Sequence, residues 1–325
     1  MEELTDLGIR WVQVPTPLPV GEVSAYLIED RAPTLIDCGP NMPSCLEALR
    51  KGLAAHGHSL EAMRRVIVTH EHSDHYGLLQ EIVAASGAQV FCHADVADII
   101  EAFSLQRERM RLYFLGLYRE MGVSDSLIEE FREISQVSMG LRSETRVDVP
   151  LQEGDRISFA HLELEVIHTP GHSRGSICLY DRTHRILFSG DHLLPSITSN
   201  PVIEPPPNGS DRRPQSLVNY LRSLRRIQEL DLRVVLPAHG EPIYDHRERI
   251  EWVLEHHQER KERVATVLEK GEQTPFEMSR ALFGELPLLH LFMGLSEAVG
   301  HLELLVNEER AQEVWQDGVV RFRAS

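Results

Sequence analysis

Residues 68–77, VTHEHSDHYG, set three histidines and two carboxylates within a few positions, directly after an apolar run. Neutral imidazoles and carboxylates are the donors that Zn²⁺, Fe and Mn accept. On an extended strand, side chains two apart point the same way, so His70 and His72 can grip one cation from a strand end. Asp74 and His75 follow as the chain turns into a helix, where they can face a second cation. Three more candidates close other predicted strands: His172 in HTPGHS, Asp191 in FSGDH and His239 in LPAHG. Strand ends of layered α/β folds are where sites collect. A lone H-x-H is usually structural, but H-x-H-x-D-H followed by PGHS, GDH and a late AHG is specific.

The elements that must carry these residues alternate along the chain. Strands are predicted at RWVQVP (10–15), VSAYLIE (23–29), TLID (34–37), RRVIVTH (64–70) and AQVFCH (88–93), with helices at 43–57 and 77–87 between them. Strands resume at 156–159, 162–168, 176–181 and 185–190, and a helix at 214–230 precedes RVVLPAHG (233–240). This alternation is the signature of an α/β layered fold. A mostly helical insertion over 94–146 interrupts it, and the proline-rich 199–214 reads as a long loop. In 108–122, Met110, Phe114, Leu117 and Met121 share one helical face, while Leu112, Tyr113, Leu115 and Tyr118 spread apolar surface around the rest. That surface suits either a cover over a site or a homodimer contact.

Composition limits the function classes. With 325 residues, a large domain plus a small one is expected, and 42% hydrophobic content is ordinary for a soluble protein. A net charge of −17 argues against general affinity for nucleic acid or anionic membrane, which depends on Lys and Arg. The acidic MEELTDLGIR start lacks the layout of a secretory signal, so a cytoplasmic location is expected. Cys38, Cys45, Cys92 and Cys178 form no C-x-x-C pair and read as buried free thiols.

On H-x-H-x-D-H, PGHS, GDH and AHG, the chain resembles the metallo-β-lactamase superfamily over roughly residues 10–250. The resemblance implies an αββα sandwich with a metal site at one edge. It assigns His70, His72 and His172 to one divalent ion and Asp74, His75 and His239 to another, with Asp191 bridging. Asp37 in LIDCG matches an Asp that orients a ligand histidine. Zn is the expected metal, with Fe or Mn also served. A metal-bridging hydroxide would attack, Asp74 would orient it, and His192 is a candidate proton donor. The implied activity is hydrolysis of a small ester, thioester or lactone. His72 stands where flavin-linked diiron relatives carry Glu, and Asp191 stands where zinc β-lactamases lack the bridge. The alternatives are an endoribonuclease on single-stranded RNA, a mononuclear iron enzyme like the persulfide dioxygenases, and a non-catalytic binding protein. Of the other histidines, only His168 and His246 are cleft candidates.

The boundary is expected at 257/258. Beyond it, a helix over 245–271 continues, helices at 274–284 and 287–309 follow, and a hairpin turns at Asp317-Gly318. This pattern resembles the winged-helix C-terminal domain of the β-lactamase-like protein 2 group. The last helix carries Glu but no Lys or Arg, so it reads as a packing or dimerisation module rather than a groove reader.

Overall fold

The computed structural model describes residues 2–131, 140–207 and 210–325, so parts of the predicted insertion and of the predicted proline-rich loop lie outside the described residues. The first sheet runs β1 (Ile9–Val14), β2 (Val23–Ile28), β3 (Thr34–Ile36), β4 (Arg65–Ile67), β5 (Gln89–His93) and β6 (Val149–Leu151), in that spatial order. The second is ordered β11-β10-β9-β8-β7, from β7 (Arg156–Ser158), β8 (Glu163–His168), β9 (Ile177–Asp181), β10 (Ile186–Gly190) and β11 (Val234–Pro237). Both sheets are mixed: β3 to β6 are parallel, as are β10 and β11, and the other pairings are antiparallel.

Period-two alternation decides the layering, because both faces of the central strands are apolar. Leu27, Leu35, Val66 and Val90 turn outward to meet Leu49 and Leu53 of helix α2 (Pro43–Ala55) and Leu79 and Ile82 of helix α4 (Leu79–Ser86). Their neighbours Tyr26, Ile28, Ile36, Ile67 and Phe91 turn inward onto Leu164, Val166, Leu179, Phe188 and Leu236 of the second sheet. On that sheet's far side, Cys178, Tyr180, Leu187 and Val235 pack under helices α7 (Ser216–Gln228) and α8 (His246–Leu268). The result is the expected αββα sandwich, with all four cysteines free and buried. Helices α1 (Glu2–Asp6) and α3 (Ser73–Tyr76) are short additions.

The insertion contributes α5 (Ala97–Glu101), α6 (Phe103–Glu120) and helical residues 125–131. Beyond α8 come α9 (Pro275–Phe283), α10 (Leu288–Asn307) and the hairpin of β12 (Ala311–Gln316) with β13 (Val319–Ala324). A capping box between Thr274 and Glu277 starts α9, with Pro275 in the first turn. The helices and hairpin enclose Val264, Leu268, Met278, Leu282, Leu302, Leu305 and Phe322. Residues 257 and 258 both lie inside α8, which is one continuous helix: Ile250 and Val253 sit in the sandwich core, Val264 and Leu268 in the C-terminal one.

Much of the apolar surface of α6 is taken up within the chain, while Leu112 stays exposed. Leu117 and Met121, with Phe114 and Tyr118 beside them, pack on Leu291, Leu295, Val299 and Phe292 of α10. The Phe114 and Phe292 rings meet edge to face at 5.5 Å, and Tyr118 stacks on Phe131 at 4.9 Å. Among the described residues, no helix is long and apolar enough to cross a membrane.

Candidate metal centre

Parallel and antiparallel pairings bring the ends of several strands to one edge. Asp37 follows β3 and His70 to His75 follow β4; His172, Asp191 and His239 follow β8, β10 and β11, whose C-terminal ends point the same way. The expectation that His70 and His72 ride on a strand is corrected here. Strand β4 stops at Ile67, because beyond it the chain leaves the ladder to wrap the site, and His72 is the residue before α3. Likewise β11 ends at Pro237, and His239 lies in the loop beyond.

All seven predicted ligands converge, most of them fully buried. His72 Nδ1 lies 3.0 Å from His70 Nε2 and 2.8 Å from His172 Nε2. Opposite them, His239 Nε2 is 3.5 Å from Asp74 Oδ2, and His75 Nε2 is 3.7 Å from the same oxygen. Asp191 stands between. Its Oδ1 is 3.6 Å from His75 Nε2 and 3.5 Å from His239 Nε2, while its Oδ2 is 3.6 Å from His172 Nε2.

The outer ring nitrogens fix the tautomers. His75 Nδ1 donates to Asp37 Oδ2 at 2.8 Å, His172 Nδ1 to the Asn200 carbonyl at 2.8 Å, and His239 Nδ1 to the Glu22 carbonyl at 2.8 Å. Each donation leaves a bare lone pair on the inner nitrogen. Asp37 also accepts from the Thr69 amide at 2.8 Å and the Thr69 hydroxyl at 2.7 Å, holding a left-handed backbone with φ of 58°.

The donor chemistry fits a cation. His75 Nε2, His239 Nε2 and Asp191 Oδ1 are buried without a hydrogen-bond partner. Burial lowers the His72 pKa to about 3 and takes His70 and His172 below the usual imidazole value, so this triad is three neutral nitrogen donors. On the other side burial also opposes charge, but Asp191, Asp74 and Asp37 together raise His75 well above its ordinary value, and Asp191 and Asp74 raise His239. Asp191 itself is held far below the carboxylate range by His239 and His75, against the effect of burial. Three carboxylates thus draw positive charge into this half, which a divalent ion can supply.

The other candidates fall elsewhere. His192 is buried edge-on against Tyr220 at 5.4 Å, and burial pushes its pKa down to about 3, so it carries no proton to donate as an imidazolium at neutral pH. His168 stacks on His93 at 3.9 Å and reaches the Arg174 carbonyl, and His246 opens α8; neither joins the seven. His93, Asp95 and His168 also cluster, but their stacked rings place in-plane lone pairs in parallel planes. His257, Glu297 and His301 form a buried group whose carboxylate is already neutralised by Arg260 at 2.9 Å.

Sequence reasoning passed over Glu71, which sits between two ligands. It is buried, accepts from Ser173 Oγ at 2.5 Å and is bonded to Glu204, whose pKa burial and Glu71 raise well above normal. Its only signal was a carboxylate inside the ligand run. The backbone carbonyls of Glu22 and Asn200 have no side-chain signature at all.

Gly190, just before Asp191, has φ of 51°, and a Cβ there would meet Thr69 Cβ at 2.8 Å. Gly190→Ala is expected to lose about 1–2 kcal/mol from the left-handed backbone alone, with a further loss from the clash. A thermal melt read with and without added metal checks this; an unchanged melting temperature contradicts the close approach.

The metallo-beta-lactamase superfamily profile matches residues 18–239. The probable metallo-hydrolase YqjP of Bacillus subtilis is 34% identical over 98% of this chain and 99% of its own. The human acyl-coenzyme A thioesterase MBLAC2 is 30% identical over 57% of this chain and 63% of its own. A solved metallo-beta-lactamase family protein from Thermus thermophilus superposes with a TM-score of 0.84 at 26% identity, covering 98% of this chain and 99% of that one. The profile and the near full-length relative agree with the converging histidines and aspartates, and the chain belongs to the metallo-β-lactamase superfamily as a metal-dependent hydrolase.

Proposed function

We propose that the chain is a dinuclear hydrolase of a small acyl substrate, with a thioester favoured over an ester or lactone. The observation that carries the dinuclear reading is Asp191, whose two carboxylate oxygens face different ligand groups: Oδ2 the His70/His72/His172 group, Oδ1 the Asp74/His75/His239 group. Two ions held there, Zn first and Fe or Mn by the same donors, would polarise a scissile carbonyl and bring the pKa of a bound water toward ~7. Asp191 would span the two positions, Asp74 would orient the bound water beside its role as a ligand, and Asp37 would keep His75 in the tautomer that leaves Nε2 free. His192 has no part in this scheme.

The thioester preference is supported by the relative named as an acyl-coenzyme A thioesterase and by a cavity. The cavity, about 260 Å³, has a mixed lining: Ile99, Met110, Tyr113, Pro205 and Pro206 share it with the charged Asp98, Arg109, Arg174 and Asp211, and none of the seven candidate ligands lines it. Met110 and Tyr113 are half-buried, Tyr113 at the margin of the cluster that α6 forms with α10. We assign this cavity to the acyl group. We read the three-helix and hairpin tail as a winged-helix-like packing module, because Leu291, Leu295, Val299, Leu302 and Leu305 bury the last helix in the chain's own cores.

A panel of acyl thioesters, esters, lactones and single-stranded RNA tests the reading. Thioester cleavage that disappears in His72→Ala is expected; RNA cleavage lost in the same variant replaces it with the nuclease. Within the series, Tyr113→Ser should cost more for each added methylene, up to ~0.8 kcal/mol per CH₂ buried, whereas Phe114→Ser should lower stability at every length alike. Equal loss for all chain lengths in Tyr113→Ser removes the acyl assignment.

A further inference from the structure

The loop from Asp191 to Glu204 is gripped by the C-terminal helices at both ends. From α8, Arg249 donates through Nε to the Leu194 carbonyl and through Nη2 to the Ile197 carbonyl, each at 2.7 Å. From α10, the Met293 carbonyl accepts from Asn200 Nδ2 at 3.1 Å, and Ser296 Oγ accepts from the Ile203 amide at 3.2 Å. Ile203 itself is buried with Leu291, Leu295 and Val299. The same Asn200 presents its backbone carbonyl to His172 Nδ1. One residue therefore joins the tail of the chain to a predicted metal ligand.

We propose that α10 positions His172 through Asn200, so that docking of the C-terminal helices and occupancy of the His70/His72/His172 position are coupled. The argument rests on the dinuclear reading only in naming which of two ions responds. The second position is tied to the loop only through Asp191 at its start, since its histidines are held by Asp37 and by the Glu22 carbonyl on the far sheet, so the larger effect is expected at the first. A partner that orients a ligand histidine changes metal affinity by roughly 10- to 100-fold. Coupling is reciprocal, so metal must tighten α10 as much as α10 tightens metal. Asn200 and Ser296 are positioning residues that act through His172.

The test is competitive metal titration of the full chain against a chromophoric chelator, in wild type, Asn200→Ala/Ser296→Ala and the milder Ser296→Ala. Expected is a ~10-fold or greater loss of affinity for one ion and a smaller loss for the other. Amide exchange along α10 should slow on metal addition in wild type and much less in the double variant. Unchanged affinities beside a lowered melting temperature would show a purely structural clamp and overturn the proposal, as would an equal loss for both ions. Wild-type protein that binds a single ion refutes the dinuclear reading instead, and the coupling is then read on that ion.

Discussion

Purified without added metal, the protein is expected to carry about two transition-metal ions per chain, and Asp191→Ala at least one fewer. The reason is the division of its carboxylate: removing it takes a donor from both positions and the negative charge that separates two cations. Stabilisation of transition-state charge by a metal amounts to several kcal/mol, so kcat/KM should fall on the order of a thousandfold or more. Elemental analysis alongside kinetics reads both effects. A single iron in fully active wild-type protein would turn the reading to a mononuclear oxygenase; Fe or Mn at two per chain would not.

The second large effect concerns the tail. Ending the chain at residue 257 is expected to give aggregated or unfolded protein, not a soluble catalytic sandwich. The cut falls in mid-helix in α8, strips α10 from Phe114, Leu117, Tyr118 and Met121, and releases the loop carrying Asn200. Exposed apolar patches of that extent drive association. Size-exclusion chromatography and circular dichroism decide it: a soluble, folded truncation that loses only RNA affinity would refute the packing reading of the tail.

The seven candidate ligands were legible because each is a rare residue type at a short spacing or at a strand end, and strand ends follow from apolar alternation. Asp37, at the end of the predicted strand 34–37, was legible only through the family resemblance of LIDCG. What the sequence hid is non-local. Whether the surface of α6 met a substrate, a second copy or another helix depended on where residues 288–307 return in space, and no local periodicity encodes that. The strand reading through His70 failed for a related reason: the apolar run ending in Val68 continues the strand pattern, while the ladder itself ends at Ile67. Neither the carbonyls that fix His172 and His239 nor the Glu71–Glu204 pair could be found, because backbone acceptors and buried carboxylic acids are visible only once the fold has placed them.

The four cysteines give the protein a particular relation to oxidants. Burial raises every thiol, Cys92 and Cys178 to about 12 and Cys38 further still, so hardly any thiolate exists at neutral pH. Thiolate is the nucleophile that attacks peroxide on the way to sulfenic acid, and that alkylating reagents capture. In the native state, the four thiols are therefore expected to react slowly with both. Thiol modification is then expected mainly in molecules that have transiently opened, which makes its rate a built-in gauge of the fraction unfolded.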